Sequence, residues 1–407
     1  MGRLQFAERR LAALRGRSLD RRLTTVARGA DPWVEVDGRK LLNLSSNNYL
    51  GLANHPVVVA AAAEAGEKYG WGAGSSRLVA GSSPLCDLLE ERLAQFKGSE
   101  RALLFTSGYT ANVGLIPSLV GPGDVVVGDE LNHASLIDGC RLSRADFSAF
   151  RHRNVEALDS QLARAVRHSP RGRRLVVTDT VFSMDGDLAP LEAIAEVCDR
   201  YEAMLVVDEA HATGCIGAGG RGLVSQLGME DRVTAAVGTL SKALGSFGAF
   251  VSGERLLADY LVSTARSFMF TTALPPPVVA ASVAALDLLE ANPALVDQLQ
   301  ENAGVLRAAL RASGFDTGDS ETQIIPVLVG DSGTAVKMAS ALRQEGVYAV
   351  AIRPPTVPAN AARIRVSAMA THTRDDLTFA IETFVRVGER IGLLASAGSG
   401  ASRVTGS

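Results

Sequence analysis

Two segments, Val207-Asp208-Glu209-Ala210-His211 and Thr239-Leu240-Ser241-Lys242, each close an apolar run of the chain. They place a carboxylate and an amine at the same kind of position, the end of a buried strand. A lysine amine can condense with an aldehyde and hold it between turnovers. A carboxylate can keep a pyridine nitrogen protonated, so that the ring accepts an electron pair from a substrate carbanion. Those two functions are what pyridoxal phosphate (PLP) asks of a protein, and they predict chemistry on an amino acid.

Each residue has a blander reading when taken alone. Lys242 would be a surface lysine after a strand, but it lies among Gly245, Ser246 and Gly248, where a ligand can approach the backbone closely. Asp208 ends an apolar run, where an unpaired carboxylate is costly or titrates to neutrality. A pyridinium removes that cost. A magnesium-binding acid is the alternative, but no G-x-x-x-x-G-K-[ST] segment exists in the chain. His211 could donate to a ring oxygen or relay a proton. Ser107-Gly108-Tyr109-Thr110-Ala111-Asn112 leads into a helical stretch, so the amides of Gly108 and Tyr109 could face a phosphate. His133, in Asn132-His133-Ala134-Ser135, follows another apolar run and could stack on a flat ring. The glycines at 70–74 and 214–222 do not form G-x-G-x-x-G between a strand and a helix, which disfavours nicotinamide. Gly330-Asp331-Ser332-Gly333 is similar to a serine nucleophile segment but reads as a turn.

These residues need a scaffold that brings distant strand ends together. From Arg101 onward, short apolar runs alternate with helical segments: Ala102–Phe105, Val125–Val127, Leu175–Val177, Met204–Val207, Ala235–Val237 and Ala249–Val251, with helices such as Leu188–Tyr201 between them. This pattern predicts an α/β fold with a mainly parallel sheet covered on both faces. Ligands of such sheets bind beyond the carboxyl ends of the strands, where Thr106-Ser107-Gly108, 179–183, Asp208 and Thr239 all fall. Before the sheet, Trp33 to Leu44 reads as a hairpin around Asp37-Gly38. After it, Pro275-Pro276-Pro277 precedes a long helical stretch over 278–311 and a smaller α/β unit: a strand at 323–329, a helix at 334–345, strands at 347–352 and 363–367, and a helix at 374–391. The expected division is an N-terminal arm at 1–45, a large domain at 46–277, a small C-terminal domain at 278–394 and a flexible tail at 395–407.

The chain has 407 residues, is 47% hydrophobic and carries a net charge of −3, leaving no basic field for nucleic acid. Cys86, Cys140, Cys198 and Cys215 are scattered, with neither zinc spacing nor a disulfide framework. No metal site is expected. No apolar stretch approaches the ~18 residues of a membrane span. Residues 1–23 are arginine-rich, with Leu4, Leu11 and Leu14 at near-helical spacing, but Glu8 and Asp20 argue against a transit peptide. The reading is a docked amphipathic helix in a soluble, cytoplasmic protein.

Taken in order, several segments resemble the α-oxoamine synthases, PLP enzymes of fold type I, over about residues 20–390. They are Asn43-Leu-Ser-Ser-Asn47-Asn-Tyr-Leu-Gly51, Gly74-Ser-Ser-Arg77-Leu-Val-Ala-Gly81, Asn132-His133-Ala-Ser135, Val181-Phe-Ser183-Met-Asp-Gly-Asp187, Val207 to His211 and Thr239 to Lys242. The resemblance implies a PLP-dependent transferase fold type I, with a mainly parallel central sheet, helices on both faces and a smaller C-terminal α/β domain. It also implies that Lys242 holds the cofactor and transfers protons, that Asp208 partners the pyridinium and that His133 stacks on the ring. By the same correspondence His211 and Ser183 contact the ring oxygen, and Thr239 and the Gly108-Tyr109 backbone contact the phosphate. Arg353 and Asn47 would hold the amino acid carboxylate, while Arg21, His133 and Thr356 would contact the acyl substrate. Thr271 or Thr272 would reach the phosphate of a partner subunit in a homodimer. Asn48 stands where many relatives have aspartate, and Arg77 lies where members differ. Ala351-Ile-Arg353-Pro-Pro-Thr356-Val-Pro358 looks most like the members that condense L-alanine with a pimeloyl thioester, on coenzyme A or a carrier protein. Members using glycine or serine remain open at this point, as does a non-catalytic ligand-binding α/β protein.

Overall fold

The computed structural model describes residues 3–395. They divide into two compact units. One holds 48–183 and 187–298; the other joins the chain up to 47 and residues 184–186 to the chain from 299 onward. The smaller unit begins with a hairpin of β1 (Trp33–Val36) and β2 (Arg39–Asn43), turned by Asp37 and Gly38 at φ 51° and 72°. Two positive φ values in a two-residue loop match the right-handed twist of the flanking strands.

The larger unit is built on a seven-stranded sheet. Its strands are β3 (Arg101–Phe105), β4 (Val125–Asp129), β5 (Asp146–Phe150), β6 (Arg174–Asp179), β7 (Met204–Asp208), β8 (Ala235–Thr239) and β9 (Ala249–Gly253), in the order β3-β9-β8-β7-β6-β4-β5. All pairings from β5 to β8 are parallel; β9 runs antiparallel to both β3 and β8. Six strands coincide with the apolar runs of the sequence. β5 was not expected, because this edge strand exposes Asp146, Ser148 and Ala149 and carries no continuous apolar signal.

Side-chain alternation explains why the central strands read as unbroken apolar runs. Leu103, Val126, Leu175, Val177, Val206, Val237 and Val251 point into one core shared with Leu115 and Ile116 of the helix Gly108–Leu119 and Leu136 of the helix Ala134–Ser143. The intervening residues Val127, Val176, Leu205, Val207 and Phe250 are also fully buried, on the opposite face. The return from β8 to antiparallel β9 takes only residues 240–248. Lys242 sits on that loop, which is pinned where Gly245, at φ 62°, lies so close to residues 52–53 that a Cβ would fall 2.3 Å from the Ala53 nitrogen.

The triple proline does not start the second unit. Pro276 and Pro277 open the helix Pro276–Ala291, which packs within the larger unit against the helices Pro56–Tyr69 and Pro84–Lys97. Pro293 then divides the expected long helix, and a second helix runs over Ala294–Ala312. In the smaller unit β10 (Ile324–Gly330), β12 (Val350–Ile352) and β13 (Ala362–Ser367) form an antiparallel sheet in the order β10-β13-β12. Strand β11 (Val347–Tyr348) instead joins the hairpin, parallel to β2. That pairing is why residues 3–47 belong with the C-terminal chain. The segment Gly330-Asp331-Ser332-Gly333 is a strand end and a helix cap, with the Asp331 side chain accepting from the Thr334 amide.

The N-terminal helix forms at Gln5–Gly16 but buries none of its residues, and Leu4, Phe6 and Leu11 are exposed. The docking expected from its leucine spacing is therefore absent among the described residues; that narrow stripe is flanked by arginines that favour water. No single described helix is long and apolar enough to cross a membrane. The tail expected to be flexible lies, from residue 396, outside the described residues.

One buried ion pair ties the helix Pro84–Lys97 to the chain beyond β7. Lys97 bonds Glu209 and the Arg221 carbonyl, while the other Glu209 oxygen accepts from the Val224 amide at 3.0 Å. Both side chains are sealed from solvent, at 3% and 0% exposure. A Cβ on Gly222 would fall 2.5 Å from Glu209, so the glycine is needed for the approach. Removing one partner strands the other as a buried charge, at about 3–5 kcal/mol, whereas replacing both by apolar groups is nearly neutral. Lys97→Met should accordingly lower the denaturation midpoint sharply, and Lys97→Met with Glu209→Leu should recover the greater part, measured by guanidinium unfolding of the full chain.

Candidate active site

Asp208 is the last residue of β7, 4% exposed, and both its oxygens are oriented by the protein. Oδ1 accepts from the Ala210 amide at 2.8 Å, and Oδ2 accepts from the Asn112 side-chain amide at 2.7 Å. Asp179, at the end of the adjacent strand β6, is its direct register partner and is equally buried. The Asp179 carboxylate accepts from the His133 amide at 2.6 Å. Its pKa is pushed well above the usual carboxylate range, first by burial and then by the neighbouring Asp208; the His133 amide and Lys242 pull the other way. Two buried carboxylates side by side repel each other, so one of them is driven to hold a proton.

Lys242 supplies one positive charge. Its Nζ lies 3.1 Å from His211 Nε2, and His211 Nδ1 lies 2.8 Å from the hydroxyl of the fully buried Tyr49. With an ammonium at Lys242 donating to Nε2, the His211 proton sits on Nδ1 and is donated to Tyr49. Histidine and lysine are thus linked in one hydrogen-bonded line. Thr239 closes β8 and donates its hydroxyl to the Ala210 carbonyl at 3.2 Å, joining the ends of β7 and β8.

The helix Gly108–Leu119 begins beside these strand ends. Ser107 caps it, accepting from the Thr110 amide at 3.1 Å, while the Thr110 hydroxyl accepts from the Ser107 amide at 2.9 Å. First-turn amides such as those of Gly108 and Tyr109 have no acceptor inside a helix. A Cβ on Gly108 would lie 2.9 Å from Thr239 Cγ2, so only glycine lets the helix end come this close to β8. The Tyr109 hydroxyl donates to Asp138, which fixes the exposed ring. These are the properties of an anion-binding cradle.

His133 caps the helix Ala134–Ser143 and is exposed, while Ser135 and Asn112 next to it are fully buried. Its pKa is lowered, chiefly by desolvation and then by the charge of Lys242, against the opposing pull of Asp208 and Asp138. The larger unit therefore brings together Asp208, His211, Lys242, Thr239, His133, Gly108 and Tyr109, and Ser183 lies on the segment that follows β6. Asn112, Ser135 and Tyr49 were missed as functional residues. Each sits inside a segment quoted for a neighbour, and nothing in spacing distinguishes a buried asparagine that orients a carboxylate from one on a helix surface.

Thr271 and Thr272 also lie in the larger unit, whereas Arg21, Asn47, Arg353 and Thr356 belong to the smaller one. Arg353 donates to the Asp20 carbonyl at 3.2 Å and also bonds the Ser18 carbonyl; Arg21 donates to the Thr356 hydroxyl at 3.3 Å and the Pro354 carbonyl at 3.4 Å. Residues 18–21 and 353–356 thus clasp each other. Asn47 does not meet Arg353 there. Its Oδ1 accepts from Arg365 at 3.2 Å, and Arg365 is only 5% exposed on β13, where it also donates to Ser367 at 2.8 Å.

Residues 39–384 match the family model of aminotransferase class I and II. The 8-amino-7-oxononanoate synthase of Geobacter sulfurreducens is 50% identical over 386 residues, covering 94% of this chain and 98% of that protein. Among solved structures, a serine palmitoyltransferase variant from S. paucimobilis with bound PLP and myriocin superposes at a TM-score of 0.90 with 32% identity, covering 96% of this chain and 98% of the other. The 8-amino-7-oxononanoate synthase of Francisella tularensis gives 0.74 with 26% identity over 86% of this chain and 98% of its own.

Behind the strand end that leads to Ser183 lies a charged clamp. His152 Nδ1 is 3.0 Å from Asp129 and its Nε2 is 2.9 Å from Asp187, with Phe182 edge-on at 4.4 Å. Asp187 in turn holds Arg153 at 3.3 Å, and its amide neighbourhood is bridged back by the Phe182 amide donating to the Asp187 carbonyl. Burial opposes a charge on His152, but bonds to both carboxylates win and raise its pKa to about 9. A raised folded-state pKa means stabilisation that is complete below the unfolded value near 6.5 and disappears as pH rises through about 9. Hydrogen-exchange protection factors in residues 181–188 should therefore fall between pH 7 and 10, and His152→Gln should show low protection already at pH 7 with little further change in that factor.

Proposed function

The chain belongs to the aminotransferase class I and II family and, within it, to the α-oxoamine synthases; from that membership we propose that it catalyses the reaction for which 8-amino-7-oxononanoate synthases are named. L-Alanine condenses with a pimeloyl thioester, carried on coenzyme A or a carrier protein, and yields 8-amino-7-oxononanoate, CO₂ and free thiol in biotin biosynthesis. The observation that carries this reading is the 50% identity to such a synthase over nearly the whole chain. Superposition on serine palmitoyltransferase is better than on the Francisella synthase, which favours a serine-using enzyme as the second reading. Backbone shape is shared by the family, whereas substrate choice rests on side chains, so identity weighs more.

The cofactor is pyridoxal 5'-phosphate, and the fold is fold type I of PLP enzymes. The donor set suits it: a buried strand-end aspartate that calls for a cationic ring, an amine in line with a histidine, and a helix end held open by Gly108. When bound, the cofactor supplies an aldehyde for amines and a ring that takes up the electron pair left at the amino acid α-carbon. Lys242 would hold its aldehyde carbon, Asp208 the proton of its ring nitrogen, His211 and Ser183 its ring oxygen, and Thr239 with the Gly108 and Tyr109 amides its phosphate. His133 would cover the ring face.

The chain's own residues then divide the work. Lys242 Nζ accepts the α-proton of alanine and later returns a proton to the product carbon, with His211 steadying the ammonium from 3.1 Å. Asp208, oriented by the donors Asn112 and Ala210, would hold the ring proton and so keep the sink open. A guanidinium gripping the alanine carboxylate selects which bond lies across the ring. Arg365 with Asn47 is our assignment for that grip, since the Arg353 guanidinium is engaged with the carbonyls of residues 18 and 20. Arg21, Thr356 and His133 would meet the acyl chain, with Arg353 holding the arm that carries Arg21. The acyl donor brings the second substrate, and a homodimer, with Thr271 or Thr272 reaching the partner's phosphate, completes the proposal. A cytoplasmic location accords with four buried thiols, two of which, Cys140 and Cys198, are pushed up to about 12 by burial.

Product mass with alanine, glycine or serine beside pimeloyl thioester tests the substrate; product from serine but not alanine would replace this reading with the second. Lys242→Ala should lose roughly 10³-fold or more in kcat and the visible absorbance of the bound cofactor. Arg365→Lys should raise the KM for alanine at least about tenfold through loss of the bidentate fork, with Arg353→Lys affecting the acyl substrate instead. Sedimentation at the single-chain mass of 42.7 kDa with full activity would remove the homodimer.

A further inference from the structure

Between His133 and Asp208 runs an unbroken line of side chains through Asn112 and Ser135. Asn112 Nδ2 lies 2.7 Å from Asp208 Oδ2 and 2.9 Å from Ser135 Oγ, and Ser135 Oγ lies 2.7 Å from His133 Nδ1. Asn112 and Ser135 are both 0% exposed, so no water competes for these bonds. The proton positions along the line follow from donor capacity. An ionised carboxylate only accepts, so the group facing Asp208 is the Asn112 amide NH₂, which spends one hydrogen on Asp208 and the other on Ser135. Asn112 Oδ1 on the far side is buried without a partner among the described residues, so turning the amide over would gain no bond there and would set its oxygen against the Asp208 carboxylate. Ser135 Oγ, accepting from Asn112, has one proton left, and His133 Nδ1 is where it points. The Ser135 backbone amide is aimed at the same nitrogen from 3.3 Å.

We propose that Asn112 and Ser135 are positioning residues that fix His133 as the neutral tautomer protonated at Nε2, and that they tie this state to the ionised form of Asp208. Nδ1 faces the Ser135 amide and the Ser135 hydroxyl, so protonation there would require the hydroxyl to turn its own proton away and would set N–H against the Ser135 N–H. The charged groups around the ring do not undo this. Asp208 and Asp138 favour the imidazolium, Lys242 opposes it, and Asp179 takes the His133 backbone amide rather than the ring; desolvation outweighs the carboxylates and leaves the pKa lowered. The consequence for chemistry is directional. Nε2–H becomes the ring's single donor, available to a carbonyl or carboxylate oxygen of a substrate, and a stacked ring without positive charge does not compete with the cofactor's own cation for Asp208. The inference rests on the reading of the site as a PLP pocket only for that last consequence; the tautomer itself is a property of the protein.

The test is the ¹⁵N and ¹³C spectrum of histidine-labelled holoenzyme. In the unaltered protein the His133 resonances should report Nδ1 unprotonated and Nε2 protonated at pH 7, and a protonated Nδ1 would overturn the proposal without any variant. In Ser135→Ala the His133 pKa should rise by about one unit as the hydroxyl donor is lost, and the acid limb of kcat/KM should move up with it. Ser135→Thr, which keeps the hydroxyl, should restore both. Asn112→Ala should raise the same pKa and also weaken PLP binding, because Asp208 loses an orienting donor. A His133 pKa and tautomer unchanged in both alanine variants, in protein with native circular dichroism, would show that the line is packing alone.

Discussion

Burying the Asp208 carboxylate is the constraint on which the rest of the larger unit depends. At the end of a strand covered on both faces, that charge has no water to solvate it, and its register neighbour Asp179 is a second carboxylate. The structure answers with oriented dipoles: the Asn112 amide, the Ala210 backbone and, for Asp179, the His133 backbone. Each of these donors lies on a different segment, so satisfying one charge organises the helix at 108–119, the loop after β7 and the cap of the helix at 134–143 into a single pocket. Lys242 then arrives on the tight β8–β9 return as the counter-charge, already in line with His211 and Tyr49.

The same electrostatics bear on two points of close backbone approach. Gly108 and Gly222 are glycines because side chains stand where their Cβ atoms would be, a threonine methyl in one case and the Lys97–Glu209 pair in the other. One glycine opens the cradle for an anion. The other closes a buried ion pair one residue beyond Asp208, so the strand end that carries the site carboxylate is held from both sides. Rigid supports of this kind are what keep a catalytic group within a fraction of an ångström of its working position.

Much of this was legible in the sequence, and the parts that were not share a physical cause. Strands buried on both faces announce themselves as apolar runs, so β3, β4, β6, β7, β8 and β9 could be found, and with them the strand ends that carry Asp208 and Lys242. Strand β5 could not, because an edge strand with one wet face has no such signature. The direction of β9 is set by the shortness of a loop whose glycines also suit a turn of other kinds. Nothing local to residues 1–47 shows that they pair with β11, since that contact is chosen by hydrogen bonding across three hundred residues of chain.

Side chains that act through others are the hardest to see in sequence, and the arginines show why. Arg353 and Arg365 both stand near the C-terminal strands, each in a segment that could grip a carboxylate. A guanidinium with carbonyls at both nitrogens is a structural strut, whereas one buried beside an asparagine and a serine, on the inner face of an antiparallel strand, is a preorganised fork. The distinction is invisible in the residue types, because arginine supplies both. It depends on which way alternate residues of β13 face: Arg363 and Arg365 share one side, the first bonding Asp185 and the second Asn47 and Ser367. Sequence therefore names the chemistry through groups whose type is unusual at their position, a lysine or aspartate ending an apolar strand. The residues that aim those groups are ordinary in type, and only the hydrogen-bond partners distinguish them.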